Sequence, residues 1–424
     1  PRAAGYRIDR RPLPPRRHSP LPRAGSLMHV RSLELHHFRN IETLRWAPAP
    51  GLNLIWGGNG QGKTNLLEAL HCVLTGRSFR TRRDEDCLPW GRRDDPADPT
   101  RVDAALQRRA GRRDLRLLIG RRWKRAFVDA TWLPRLGDLW REAAVVTFTP
   151  EDAALLKGPP ADRCRFLDIV LSQTSAAYLG QLQRYQRALK QVNAVLRTSP
   201  PTRDVRGLAE AYWPELAEAG AHLMCARAAA LAEAAEPFAA RYRELGGAEP
   251  VELVYDANLG RYEINPDGTA RPFLDTRRPR SADEPLAAGS GAWRPLTGIY
   301  LERLRESYDE GRRHGLCAAG VHRDDFSVRL AGQDLRRFGS QGQHRLVALT
   351  LKLESARWIE RTLGEPPILM LDDFGSELDP GRRMAVLAGL RGSMQVLITA
   401  THPRDLGGEA RFDLSAEIRH GTLA

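Results

Sequence analysis

Eight consecutive residues, Gly57-Gly58-Asn59-Gly60-Gln61-Gly62-Lys63-Thr64, have the types and spacing of a loop that grips a nucleoside triphosphate by its phosphates. Its glycines let successive backbone N–H groups converge on the β-phosphate, and a helix beginning at its end adds partial positive charge. Lys63 is placed to reach the β- and γ-phosphates, and the Thr64 hydroxyl to bind Mg²⁺. Of 65 basic residues only five are lysines, at 63, 124, 157, 190 and 352. A compact ammonium here, in a chain that otherwise uses arginine, points to a need for a point charge rather than a planar fork. ATP and Mg²⁺ are therefore the expected cofactors.

A second set of polar residues lies more than 270 positions downstream. Ile368-Leu369-Met370-Leu371-Asp372-Asp373 is a buried-strand pattern ending in two carboxylates. Asp372 is expected to hold the metal, and Asp373 to orient or deprotonate the attacking water. Phe338-Gly339-Ser340-Gln341-Gly342-Gln343 precedes a long helical pattern, so Ser340, Gly342 and Gln343 form a second candidate anion nest at a helix start. One nucleotide does not need two phosphate nests. They make sense together if Ser340 of one protomer closes over the triphosphate held by Lys63 of another. Ser376-Glu377-Leu378-Asp379 comes next at short spacing, with Asp379 a further nucleotide-side candidate, and His402 stands after Ile398-Thr399-Ala400-Thr401 as a candidate γ-phosphate sensor. As an ordered set these pieces resemble the heads of ABC-type ATPases.

The surrounding pattern shows what must position these groups. Leu52-Asn53-Leu54-Ile55-Trp56 reads as a strand into the loop, and Asn65-Leu66-Leu67-Glu68-Ala69-Leu70 as the helix out of it. Before them, an alternating strand from His29, a turn at Phe38-Arg39-Asn40 and a second strand are expected. Residues 76–148 read as β-rich and basic, with 111–125 crowded with arginine: a solvated hairpin or a DNA-backbone contact. Tyr178, Leu182, Tyr185, Leu189, Val192 and Leu196 then alternate steps of four and three, a short heptad-like seam facing a second helical stretch at 208–245. Residues 258–296 are Pro-, Gly- and Arg-rich and read as loop or a weak strand pair. Strands return at 325–330, 367–371 and 395–399, with a long helix at 342–363. The expected fold is α/β: an ABC-type P-loop ATPase head split by a helical, short coiled-coil-like insertion. Expected boundaries are 1–27 (a disordered basic tail, or a misassigned start with Met28 first), 28–164 (head), 165–313 (insertion) and 314–424 (head).

Net charge is +13, and +7 without residues 1–27, which carry seven arginines and one aspartate. Such an excess favours a polyanionic partner, nucleic acid above all. Five scattered cysteines with no Cys-x-x-Cys pair give neither a disulfide framework nor a zinc site and fit a reducing cytoplasm. No apolar run approaches a membrane span, so no membrane partner is expected.

Further stretches narrow the family. Leu35-His36-His37-Phe38-Arg39-Asn40, Thr149-Pro150-Glu151-Asp152, Lys157-Gly158-Pro159-Pro160, Arg163-Cys164-Arg165-Phe166-Leu167-Asp168 and His322-Arg323-Asp324-Asp325 join Ser340-Gln341-Gly342-Gln343 and Leu371-Asp372-Asp373-Phe374. Together they resemble the RecF family of bacterial recombination-mediator ATPases, from Met28 onward. Two positions depart from that pattern: Cys164 where a second arginine is usual, and Val321 where proline is usual. The resemblance implies nucleotide contacts from Arg39 and Asn40, ATP-dependent homodimerisation, and binding to single-stranded, gapped or junction DNA. It further implies help in loading RecA with RecR and RecO, in DNA replication, recombinational repair and the SOS response. Asp373 stands where transport cassettes carry glutamate, so slow, timing-type hydrolysis is expected. An SMC-like tethering protein is the alternative reading, but it needs far longer arms than the seam at 178–196 supplies.

Overall fold

A computed structural model of the chain describes residues 28–91, 98–198, 204–258, 262–264, 270–272, 293–377, 379–407 and 410–424. The 1–27 segment, Leu378 and most of the 258–296 stretch fall outside them. The chain divides into two compact units, one of residues up to Thr147 with Glu365–Ala424, the other Phe148–Gly364.

The first unit holds two six-stranded sheets. One is antiparallel, in the order Ile41–Trp46, His29–Phe38, Thr100–Arg108, Gly111–Ile119, Lys124–Val128, Thr131–Leu133. The other runs Thr422–Leu423, Leu414–Arg419, Leu52–Trp56, Val396–Ala400, Ile368–Leu371, Val145–Phe148. Its central strands Leu414–Arg419, Leu52–Trp56, Val396–Ala400 and Ile368–Leu371 are parallel. Ile368–Leu371 and Val396–Ala400 are buried at every position, as strands covered on both faces must be. Because neighbouring strands run the same way, Trp56, Ala400 and Leu371 all end at one edge of the sheet. The glycine loop after Trp56, the Thr401-His402 pair after Ala400 and Asp372 after Leu371 are therefore delivered to one place.

In the second unit the seam residues Tyr178, Leu182, Tyr185, Val192 and Leu196 are buried on helix Ala176–Thr198, against a face of Trp213–Glu244 that includes Leu216, Leu223 and Met224. The first of these helices has 23 residues, a rise of about 34 Å, so the seam is core packing and not an arm. The helical stretch expected at 208–245 begins instead with a separate short helix, Val205–Glu210. Tyr262–Ile264 pairs with Ala270–Pro272, the weak strand pair expected inside 258–296.

The unit boundaries differ from those expected, for a packing reason. Helix Gln341–Leu363 packs against Trp213–Glu244, and Arg241 Nε donates to Glu354 Oε1 at 3.0 Å, so the Ser340 region belongs to the helical unit. Lys352 pairs with Asp152 at 2.8 Å, which draws residues near 150 into the same unit. Several of the motif residues that carry the family resemblance are held inside this unit. Arg163 forks onto Asp325 with two 2.7 Å bonds. Cys164 Sγ donates to Asp324 O, so the position is a packing site and not part of a basic cluster. Arg227, 2% exposed, donates to Asp168 Oδ1 at 2.8 Å and to Val321 O at 2.8 Å. Tyr185 and His322 share a 2.6 Å bond between the hydroxyl and Nδ1.

Candidate nucleotide site

Strand Leu52–Trp56 enters the loop and helix Lys63–Thr75 leaves it. Gly62, the helix N-cap, has φ 112°, a left-handed conformation that a side chain would strain, and no side chain caps the helix. The first-turn N–H groups are thus presented towards the loop rather than satisfied by a cap. Helices Gln341–Leu363 and Pro380–Leu390 differ: Ser340 and Asp379 cap them with their side chains.

Lys63 is 8% exposed, and its Nζ donates to Gly57 O at 2.6 Å and Gly58 O at 2.9 Å. Burial pushes the ammonium below its ordinary range, while Asp373, Asp372 and Asp405 act against that shift. The cation therefore sits in a negative field that a polyphosphate would partly replace as partner.

Asp372, 5% exposed, accepts from Thr64 Oγ1 at 3.1 Å and from Thr399 Oγ1 at 2.6 Å. Thr399 Oγ1 in turn accepts from Asp373 N at 2.8 Å. Asp373 has φ 47°, which turns the chain sharply after its buried neighbour. The parallel register that pairs Leu371 with Ile398 sets Thr399 at the level of these carboxylates. Thr399, fully buried, escaped the sequence reading; the available signal was a hydroxyl interrupting an otherwise apolar strand.

His402 caps the short turn Pro403–Leu406: its Nδ1 accepts from Arg404 N at 3.1 Å, and its own N–H donates to Asp405 Oδ2 at 2.7 Å. An Nδ1 occupied as acceptor assigns the proton to Nε2 in the neutral ring, leaving a donor at its tip. The ring is exposed, 5.8 Å from that of Trp56.

The 38–41 turn closes on the loop from its other side. Asn40 Nδ2 donates to Gly60 O at 3.3 Å, and Asn65 Nδ2 donates to Asn40 Oδ1 at 2.7 Å. Arg39, at φ 52°, forks onto Glu68 through Nε at 2.5 Å and Nη2 at 2.7 Å. Glu68 is fully buried and also accepts from Ser78 Oγ at 2.5 Å and Arg80 Nη1 at 3.3 Å. Arg39 is thus a clamp between the turn and the loop helix. Glu68 went unnoticed in sequence because a glutamate on a helix reads as solvated. Gln61 links the loop to the C-terminal strands, accepting at its side chain from His420 N at 2.7 Å and at its carbonyl from Gly421 N at 2.9 Å.

Ser340 lies in the second unit, exposed. Its Oγ accepts from Gln343 N at 3.2 Å and its N–H donates to Gln343 Oε1 at 2.7 Å, a reciprocal cap. Gln343 also donates to Glu249 Oε1 at 2.7 Å. Asp379 accepts from Arg382 N at 3.0 Å. Lys63, Thr64, Asp372, Asp373 and the 39–40 turn are therefore brought together within the first unit.

Known proteins resemble this chain in sequence and in fold. A family model described as an AAA domain matches residues 32–114. The DNA replication and repair protein RecF of Symbiobacterium thermophilum is 39% identical over 382 residues, 89% of this chain and 93% of that protein. RecF of Chloroflexus aurantiacus is 36% identical over 400 residues, 90% of this chain and 95% of that one. A solved structure of the recombination mediator protein RecF with ATP, in the RecFOR pathway, superposes with TM-score 0.81 at 26% identity, covering 95% of this chain and 98% of that one. The Smc head domain of Pyrococcus furiosus shares the fold, with TM-score 0.51 at 13% identity over 94% of this chain and 95% of the head.

Proposed function

The chain belongs to the RecF family of DNA replication and repair proteins, with the ABC- and SMC-type P-loop ATPase fold, and we propose that it is a DNA-binding ATPase whose dimer closes on ATP. The observation that carries this is the Lys63 site: a buried ammonium on its own loop's carbonyls, beside a helix N-terminus that no side chain caps.

The residues fit the cofactors. Gly57, Gly58, Asn59, Gly60, Gln61 and Gly62 supply the backbone of the phosphate cradle, with Lys63 as its point charge. Thr64 and Asp372 offer a hydroxyl and a carboxylate already in contact, a hard oxygen pair suited to Mg²⁺. Held by Thr64 and Asp372, Mg²⁺ would supply positive charge to offset the charge that develops on the phosphates. Thr399 holds the Asp372 carboxylate in place and, through Asp373 N, sets the turn that presents Asp373. Asp373 accepts the proton of the attacking water, and His402 offers Nε2–H towards the γ-phosphate. A carboxylate one methylene shorter than glutamate reaches less far, which supports slow turnover.

Ser340, with Gly342 and Gln343, covers the nucleotide of the second protomer, and Asp379 lies at the same interface. Hydrolysis removes the γ-phosphate contact and opens the dimer. The family membership and the net charge of +13 support DNA as the partner, with gapped or junction DNA preferred, action alongside RecR and RecO in loading RecA, and a cytoplasmic setting. Among the described residues no helix is long and apolar enough to cross a membrane.

Lys63→Met tests the reading. Labelled ATP should no longer bind, and light scattering should show no dimer with ATP; a variant that still dimerises on ATP removes the clamp. Gapped, single-stranded and duplex DNA compared with and without ATP should rank in that order, each weakening as salt rises.

A further inference from the structure

The turn joining Gly111–Ile119 to Lys124–Val128 borders an open cleft of about 460 Å³ lined by Arg83, Arg121, Arg122 and Lys124, with Trp123 as an aromatic wall. Lys124 pairs with Asp84, and Glu85 is the other acid in the lining, so four cations stand with two carboxylates. Farther along the same hairpin Arg112 pairs with Asp114, Arg113 with Asp129 and Glu142, and Arg116 with Asp103. Arg121 and Arg122, at the turn, are exposed.

The turn is built around the indole. Gly120 N donates to Trp123 O at 2.9 Å, and a Cβ at Gly120 would stand 2.3 Å from Trp123 Nε1. Any side chain at 120 would displace the ring. The Arg125 guanidinium lies 5.3 Å from the ring centroid, a cation–π pair that steadies it further.

We propose that this cleft seats one unpaired nucleotide of a single DNA strand, its base against Trp123 and its phosphates on Arg83, Arg121 and Arg122. The proposal rests on the DNA-binding reading above and names the strand form that this surface selects. An unpaired base can turn into a cleft to meet an aromatic wall, whereas a base inside a duplex must first be unstacked. A flat basic surface would hold phosphates of either form alike.

The full chain, with ATP and Mg²⁺, is titrated with a labelled oligothymidylate and with a blunt duplex of equal length. Trp123→Ala should weaken the single strand roughly five- to hundredfold and the duplex far less, with Trp123→Phe restoring most of the loss. Arg121→Ser with Arg122→Ser should show the same preference. Equal losses on both DNAs, or no loss on the single strand, overturn the proposal. Labelled ATP bound as tightly as by the unaltered chain keeps this outcome separate from the test at Lys63.

Discussion

Thr64 Oγ1 donates to Asp372 Oδ1 at 3.1 Å across 308 residues of sequence. That contact ties the first turn of the loop helix to the end of a strand two places away in the sheet, with Val396–Ala400 between them. Thr399, on that intervening strand, binds the same carboxylate oxygen. The loop helix and two adjacent parallel strands thus converge on one carboxylate, whose position is set by sheet register rather than by a flexible loop.

Asp372→Asn should keep this hydrogen-bonded frame while removing the charge a divalent ion needs. ATP hydrolysis is expected to fall by about a hundredfold or more, the range for losing a metal or charge-stabilising group. Nucleotide binding measured in EDTA should change little, because the Lys63 cradle is untouched. Retained Mg²⁺-dependent turnover would assign the metal elsewhere.

The strands, the loop, the acid pair and the Ser340 helix start were legible because each depends on local pattern: apolar runs, glycines before a helix, a serine three residues before a glutamine. Thr399 and Glu68 were not, since their roles arise only when strands distant in sequence meet. The ion pair of Arg163 with Asp325 and the burial of Asp324 were not legible either, because charge in sequence carries no sign of burial. The division into units differs from the expected boundaries for a related reason: helix Gln341–Leu363 carries a nucleotide-type motif at its start but packs against Trp213–Glu244. Arg39 was expected at the nucleotide, and the structure places its guanidinium on Glu68.

Glu68→Ala should be costly. It strips both bonds from Arg39, itself 18% exposed at the side chain, and partners from Ser78 and Arg80. Breaking one side of a buried pair costs about 3–5 kcal/mol, or roughly 6–20 °C in Tm for a unit of this size. ATP affinity should fall as well, since the freed 39–40 turn no longer holds Gly60. Scanning calorimetry with and without ATP reads both effects. A Tm within about 2 °C of the unaltered chain would mean that Arg39 finds another partner.

The second unit carries a half-buried histidine and a buried aspartate with opposite acid responses. Burial holds His322 down to about 4. Burial pushes Asp324 up to about 6, with Arg227, Asn258 and Tyr255 restraining it. As pH falls from 6.5 towards 4, the unfolded chain takes a proton at His322 that the folded chain refuses, so stability drops. As pH falls from 6 towards 3.8, the folded chain takes a proton at Asp324 before the unfolded chain does, so stability rises. The two largely offset. Asp324→Asn removes the second, and its stability should fall between pH 6.5 and 4.5 by about 2 kcal/mol more than that of the unaltered chain. Urea midpoints at several pH values measure the difference in slope; parallel slopes would show that Asp324 does not titrate in this window.

Ser340 caps its own helix and, in the proposed dimer, meets the partner's nucleotide; a pair of substitutions separates the two. Its hydroxyl caps helix Gln341–Leu363, a contribution of about 1 kcal/mol, yet the residue is exposed and so available to a second protomer. Ser340→Ala removes the cap and leaves the surface open. Ser340→Arg removes the cap and also sets a long cation where the proposed triphosphate contact must form. Both variants should lose similar small amounts of stability and bind ATP as monomers with nearly unaltered affinity. Light scattering with ATP should show a weakened dimer for Ser340→Ala and none for Ser340→Arg. If Ser340→Arg loses ATP binding and dimerisation in equal measure, the serine serves its own protomer's nucleotide and the two-protomer site is wrong.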